Sequence, residues 1–186
     1  MKLVVGLGNP GKEYDKTRHN VGFDVLDELV RRTGVTLRRG WTVPAWTGKA
    51  ELEGKNVLLV KPRTFMNRSG HAVAAAAQKK GLDPQDVIIV LDDLELPKGQ
   101  IRIRKRGGAG GHKGLRSVIE ALGSEEFVRV RVGVGPRPPG EVLVDHVLSR
   151  FTAEERSEVD KAVTVAADAV AAILRDGVEK AMNEFN

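Results

Sequence analysis

Hydrophobic and polar positions along this chain follow two periods in turn. Lys2–Leu7 is a short, mostly apolar run closed by the turn-forming Gly8-Asn9-Pro10-Gly11, which predicts a first strand. Residues 12–19 are polar and read as a loop. From Asn20 the period becomes helical, with Phe23, Val25, Leu26, Leu29 and Val30 recurring at helix spacing and Gly34 as the stop. Thr47–Leu52 and Asn56–Lys61 flank Glu53-Gly54-Lys55, a hairpin signal. An Ala-rich stretch running to Gly81 predicts a helix with Asn67 or Ser69 as its cap. Val87–Leu91 is continuously apolar, the mark of a strand buried on both faces. Gln100–Lys105 and Phe127–Val134 alternate. Ile101 and Ile103 oppose Arg102 and Arg104; Val128, Val130, Val132 and Val134 oppose Arg129 and Arg131. Between these strands, the glycine-dense Gly107–Gly111 leads into a helical pattern over Lys113–Leu122. Pro136–Gly140 reads as a turn, and Thr152 with Glu155 forms a capping box opening a helical segment over about residues 152–185. Strands mixed with helices predict an α/β fold: one domain over residues 1–186, a twisted mixed sheet with helices on both faces.

Composition narrows the class. A length of 186 residues with 41% hydrophobic side chains suits one globular domain with a real core. No apolar run approaches the roughly 18 to 20 residues of a membrane helix. The glycine-broken N-terminus does not resemble a secretory signal, and cysteine is absent, which excludes disulfides, thiolate metal sites and a Cys nucleophile. A cytoplasmic location is the expectation. The net charge of +5 is unevenly spread: residues 1–119 carry +10 and residues 120–186 carry −5. The window 96–119 holds Lys98, Arg102, Arg104, Lys105, Arg106, Lys113 and Arg116 without one acid, so +7 sits there against −2 elsewhere. Such local concentration suits an anionic partner such as a nucleic acid.

Candidate chemistry is sparse. Gly6-Leu7-Gly8-Asn9-Pro10-Gly11 matches a dinucleotide-binding G-x-G-x-x-G, but the helix that should hold a pyrophosphate begins some nine residues late. The four histidines, His19, His71, His112 and His146, have no metal-ligand spacing, so no metal is expected. No G-x-S-x-G elbow is present. If the chain is an enzyme, a histidine acting on water is the expected base. His19, at the start of a helix beyond the first strand, is placed for that role, although most loop histidines only face solvent. Asp92 and Asp93 follow the buried strand Val87–Leu91; either orienting a histidine or capping a turn accounts for them. Asn67 either caps its helix or offers its amide to a reacting carbonyl, and Phe65 and Met66 beside it read first as core.

Four segments together are far more specific. They are Gly6-Leu7-Gly8-Asn9-Pro10-Gly11 with Tyr14; Thr17-Arg18-His19-Asn20-Val21-Gly22-Phe23; Lys61-Pro62-Arg63-Thr64-Phe65-Met66-Asn67-Arg68-Ser69-Gly70; and Gly110-Gly111-His112-Lys113-Gly114-Leu115. Over nearly its full length the chain closely resembles the bacterial-type peptidyl-tRNA hydrolases, which cleave the ester joining a peptide to the 3′ end of tRNA. The resemblance implies one α/β domain, a monomer, working on peptidyl-tRNA without metal or cofactor. It also implies roles. His19 matches the catalytic histidine and Asp92 the carboxylate paired with it. Asn9 and Asn67 match asparagines that hold the peptide and the reacting groups. Tyr14 and Met66 match the cleft and His112 its rim, and Phe65 beside Met66 is a further candidate for substrate contact. Arg104 and Arg131 match tRNA-phosphate positions, to which the charge pattern adds Arg102, Lys105 and Arg106. One departure stands out: Lys113 occupies a position that relatives commonly fill with Asn. An ammonium donates hydrogen bonds but accepts none, so Lys113 is expected to contact a phosphate or the substrate mouth rather than position water. A non-catalytic RNA-binding relative and a nucleotide-dependent oxidoreductase are the competing classes.

Overall fold

A computed structural model describes residues 1–186. Its seven strands form one sheet in the order β2-β3-β4-β1-β5-β7-β6. In chain order they are β1 (Lys2–Gly6), β2 (Arg38–Arg39), β3 (Ala45–Leu52), β4 (Lys55–Pro62), β5 (Val87–Asp93), β6 (Ile101–Arg104) and β7 (Val128–Gly133). β1 runs parallel to both β4 and β5, and β5 parallel to β7; β2–β3, β3–β4 and β6–β7 are antiparallel. The parallel centre explains why β1, β4 and β5 read as continuous apolar runs: both of their faces are covered.

Six helices cover the sheet: α1 (Val21–Thr33), α2 (Ser69–Lys80), α3 (Lys113–Leu122), α4 (Leu143–Val147), α5 (Ala153–Asp176) and α6 (Val178–Phe185). The sheet's alternation sorts them into two cores. Val4, Val57, Leu59, Ile88, Val90, Ile103 and Val130 face α1, α5 and the end of α6. Leu3, Val5, Leu58, Val60, Ile89 and Leu91 face α2 and α3. Their helices approach closely where side chains are missing. A Cβ on Gly6 would collide with the Gly22 carbonyl of α1, and one on Gly70 with Ser117 of α3. The first of these approaches accounts for part of the glycine string at the end of β1. It lets α1 cross the strand and has no need of a dinucleotide.

Several expectations change. Residues 12–19 are not a featureless loop, since Lys12–Tyr14 and Arg18–Asn20 form 3₁₀ turns. Neither Asn67 nor Ser69 caps α2: Arg68 is the cap residue and no side chain bonds there, while the Ser69 hydroxyl donates to the Met66 carbonyl. The C-terminal helical segment breaks at Gly177 into α5 and α6, and the short α4 carried no strong period. The Thr152–Glu155 capping box is present as expected.

Candidate active site

The site lies beyond the C-terminal ends of β1 and β5, where the chain's next connections leave the sheet in opposite directions. Asp92, the penultimate residue of β5, is 4% exposed and both of its oxygens are used. His19 Nδ1 stands 2.9 and 3.0 Å from the two carboxylate oxygens. His112 Nε2 stands 2.8 Å from Oδ1. His112 is also the side-chain cap of α3: its Nδ1 accepts from the Leu115 N–H at 3.2 Å, which leaves its ring proton on Nε2 for donation to Asp92. His19 in turn donates from Nδ1, so its Nε2 lone pair is directed away from the carboxylate. The two imidazole rings lie 4.9 Å apart, centroid to centroid.

The electrostatics follow from this geometry. Burial alone pushes the His19 pKa down, but the charge of Asp92 and the hydrogen bond to it outweigh burial; Lys113 opposes them weakly, and the result stays above the usual 6.5. Burial likewise pushes Asp92 up, and the facing His19 and His112 reverse this, holding its carboxyl well below the usual range. Asp92 is therefore an anion throughout the neutral range.

The turn bearing His19 is clamped from the far end of the chain. Arg18, 8% exposed, donates to Ser149 Oγ and to both oxygens of Glu155, with its guanidinium 4.6 Å from the Phe151 ring. The Arg18 hydrogen bonds are the main cause that holds Glu155 down to about 2. The Arg18 N–H also donates to the Ser149 carbonyl. Ser149, Phe151 and Glu155 thus orient a histidine more than a hundred positions away.

Asn9 is locked by three hydrogen bonds. Its N–H donates to Asn20 Oδ1 (2.8 Å), its carbonyl accepts from Asn20 Nδ2 (2.9 Å), and its own Oδ1 accepts from the Met66 N–H (2.7 Å). With the oxygen committed, the Asn9 amide presents Nδ2 as a free donor at the cleft floor. Asn67, exposed, lines the mouth without a hydrogen bond of its own. Met66 is buried with its sulfur against Gly114, where any side chain would collide. Phe65 is 55% exposed and lines the cleft. Tyr14 does not line it; it packs edge-on against Phe65, ring centroids 6.3 Å apart.

These groups border a cleft of about 390 Å³. Asn9, His19, Asp92 and His112 form its polar floor, and Leu143, Val144, Val147 and Leu148, from α4 and the residue after it, form an apolar wall. Lys113 is exposed at the rim, the first residue of α3. His71 and His146 lie outside the cleft.

The basic residues separate into unlike groups. Register pairs Arg102 with Arg131 and Arg104 with Arg129, so all four share one sheet face. Arg102 and Arg104 are exposed; Arg131 reaches the cleft, its Nη1 3.5 Å from Asp93 Oδ2. Arg129, on the same sheet face, is by contrast wholly buried. It donates to the carbonyls of Gly107, Gly108, Glu125 and Phe127, holding the glycine-rich loop ahead of His112. Burial, then Arg131, pulls its guanidinium down to about 10, still protonated at neutral pH. Lys105, just past the end of β6, pairs with Glu179 at 2.8 Å, while Arg106 is 3.5 Å from Glu126. Charge density along the sequence therefore overstates the free patch.

The residues that sequence reasoning left without a role are Asn20, Arg18 and the α4 wall. Asn20 and Arg18 stand in the quoted motif, but only the fold shows what they touch. His19, Asp92 and His112 also form the one group of side chains able to hold a metal, their ligand atoms all within 4.8 Å. Their sequence spacing hides this. The hydrogen bonds already occupy both carboxylate oxygens and every ring nitrogen of the three except His19 Nε2, an arrangement suited to proton transfer.

Comparison with known proteins agrees in fold and extent. The sequence model of the family described as peptidyl-tRNA hydrolase matches residues 3–186. The peptidyl-tRNA hydrolase of Geobacillus kaustophilus is 48% identical over 186 residues, covering all of both chains, and that of Halalkalibacterium halodurans is 44% identical over the same length. The crystal structure of peptidyl-tRNA hydrolase from Acinetobacter baumannii superimposes with a TM-score of 0.94 at 36% identity, covering 100% of this chain and 94% of the other. Motifs, sheet order and full-length similarity converge: this chain belongs to the peptidyl-tRNA hydrolase family.

Proposed function

We propose that His19 is the general base with which this chain performs the reaction of its family, the release of tRNA from peptidyl-tRNA. The observation carrying this reading is the hydrogen bond from His19 Nδ1 to a buried, ionised Asp92, which leaves Nε2 as the acceptor at the cleft floor. An ester needs no covalent intermediate. Neutral His19 removes a proton from water as the water oxygen bonds to the ester carbon, and Asp92 stabilises the imidazolium that forms. The imidazolium then returns the proton to the tRNA 3′ oxygen as the carbon–oxygen bond breaks, so tRNA leaves as an alcohol and the peptide as an acid. General-base assistance of this type supplies roughly 10²- to 10⁴-fold. Asn9 Nδ2, its orientation set by the Met66 N–H, is the best-fixed donor for the developing oxyanion. Asn67, free at the mouth, is placed to bind the peptide backbone, and Phe65, Met66 and the α4 wall receive its side chains.

Arg102 and Arg104 on the sheet edge and Arg131 at the cleft supply phosphate contacts for many tRNAs without reading bases. Lys105 and Arg106 contribute less, because each faces a carboxylate. Lys113 adds a cation where the acceptor end enters. In this reading residues 1–186 act as one catalytic unit, a cytoplasmic monomer using neither metal nor cofactor. No helix is long and apolar enough to cross a membrane.

The test is turnover of N-blocked aminoacyl-tRNA by His19→Ala. Activity is expected to fall by at least two orders of magnitude with tRNA binding retained. A variant keeping most of its turnover would refute the role of His19.

A further inference from the structure

A second basic surface lies well away from the active site. From Leu29 to Leu82 the chain holds eleven basic side chains against two acids, Glu51 and Glu53. Part of this charge converges on one pocket. On β2 and β3, Arg38 pairs with Thr47, and on β3 and β4, Thr47 pairs with Val60 and Lys49 with Leu58. Arg38 and Lys49 therefore project from the sheet face that carries α2. The last turn of α2 brings Lys79 and Lys80 to the same place, and the four cations border a pocket of about 350 Å³ with no acid in its lining.

None of the four is in an ion pair. Capping the helix does not account for Lys79 and Lys80 either, because the Gly81 N–H already serves the Ala77 and Gln78 carbonyls. Lys79 Nζ donates instead to Thr42 Oγ1 at 3.0 Å, drawing the β2–β3 loop to the pocket rim. The neighbouring residue of that loop is Trp41, fully exposed and without a packing partner. A large apolar ring held in water beside unpaired cations is the pairing that binds unpaired nucleotides: cations take phosphates and the indole stacks on a base.

We propose that Arg38, Lys49, Lys79, Lys80 and Trp41 form a second RNA site, which takes the sugar–phosphate backbone of a single-stranded segment and stacks one of its bases on Trp41. It is separate from the phosphate contacts at the catalytic cleft. α2 spans twelve residues, so Lys80 lies about 18 Å along its axis from the active-site end. β2 and β6 occupy opposite edges of a seven-stranded sheet, roughly 29 Å apart at ordinary strand spacing. RNA bound at this pocket engages the protein whether or not it carries an esterified peptide.

The experiment measures binding of a short oligouridylate, which has no ester, across a salt series. It compares the parent protein, Trp41→Ala, the double variant Lys79→Gln/Lys80→Gln, and Arg104→Glu as a control on the catalytic face. Trp41→Ala is expected to weaken binding roughly 5- to 150-fold, the range for removal of one stacked base. The lysine variant is expected to lower the slope of log affinity against log salt by about 0.7 for each phosphate that it no longer neutralises. Arg104→Glu should leave most of the oligouridylate affinity in place. Hydrolysis of an N-blocked aminoacyl ester of a short 3′-terminal tRNA fragment should be unchanged in Trp41→Ala and the lysine variant, which also shows that both remain folded. Unchanged oligouridylate binding in those two variants would overturn the proposal. So would weakening in the lysine variant alone, which means diffuse attraction without a stacking site. Equal affinity for poly-glutamate that depends on the same residues would point to an acidic protein partner and overturn it too.

Discussion

Replacing Asp92 by Asn separates the carboxylate's charge from its shape. In the parent protein two opposing influences act on His19. Burial lowers its pKa, and Asp92 raises it by more, leaving it above 6.5. At 2.9 Å the attraction between unit charges is about 6 kcal/mol at an effective dielectric of 20, which favours the protonated ring. Asn removes that attraction and keeps the burial. What remains, burial and the repulsion from Lys113, acts downward only, so the pKa must cross from above 6.5 to below it. The neutral form of His19 is the base. The acid limb of kcat/KM therefore lies above 6.5 in the parent and moves below 6.5 in Asp92→Asn. The plateau falls at the same time, because an amide neither stabilises imidazolium nor keeps His19 protonated on Nδ1; a drop on the order of 10³- to 10⁴-fold is the scale for this change in a histidine–aspartate pair. The assay is release of N-blocked amino acid from tRNA in salt-matched buffers, fitted for limb and plateau separately. An acid limb that stays put or moves upward would show that Asp92 does not set the His19 charge state, and the reasoning would fail.

Other consequences follow from individual interactions. Asn9→Asp keeps the acceptor for the Met66 N–H and loses the Nδ2 donor, so melting temperature should hold while kcat drops about 10²- to 10³-fold; Asn9→Ala should lose both, with about 1–3 kcal/mol of stability from the unsatisfied N–H. Lys113→Gln removes a charge that lowers the His19 pKa, so its acid limb should move further up, the opposite sign to Asp92→Asn, as pH–rate profiles would show. Arg129→Leu removes the guanidinium that gathers the Gly107, Gly108, Glu125 and Phe127 carbonyls and should cost about 1–3 kcal/mol in chemical denaturation, whereas Arg104→Glu should leave stability unchanged and raise KM for tRNA with a shallower salt dependence. The His19–Asp92 pair should stabilise the fold below 6.5 and lose that contribution as pH rises through the raised His19 value. The melting-temperature gap between parent and His19→Gln should accordingly narrow in alkaline buffer.

Local pattern was enough wherever one element's own periodicity decided the outcome. The apolar runs of β1 and β5, the alternation of β6 and β7, the Glu53-Gly54 turn and the Thr152 box all sit where period and turn chemistry place them. Asn9, His19, Asn67 and His112, which the fold brings to one cleft, were legible too, through four motifs specific enough to carry a family. Their partners were not, because these lie at positions that the chain separates widely. His19 meets Asp92 across 73 residues, and His112 meets the same carboxylate from another loop. Residue type alone left Asn67 either a helix cap or an amide for the site; the backbone enters α2 through a 3₁₀ turn, and Asn67 lines the cleft rather than capping the helix.

The charge pattern divides in the same way. Sequence alone determined that cations cluster, that β6 and β7 each carry arginines on one face, and that the chain has α/β architecture. Only tertiary structure decided what each cation does. A charge acts through its distance to other charges and its access to water, and neither is a property of sequence position. Arg129 became a buried strut, Lys105 turned to Glu179, and Arg131 reached the cleft, although all three lie in or beside one stretch of uniform sign. Arg38, Lys49, Lys79 and Lys80, spread over forty-two positions, gathered around one pocket because strand register and the C-terminal end of α2 place them there.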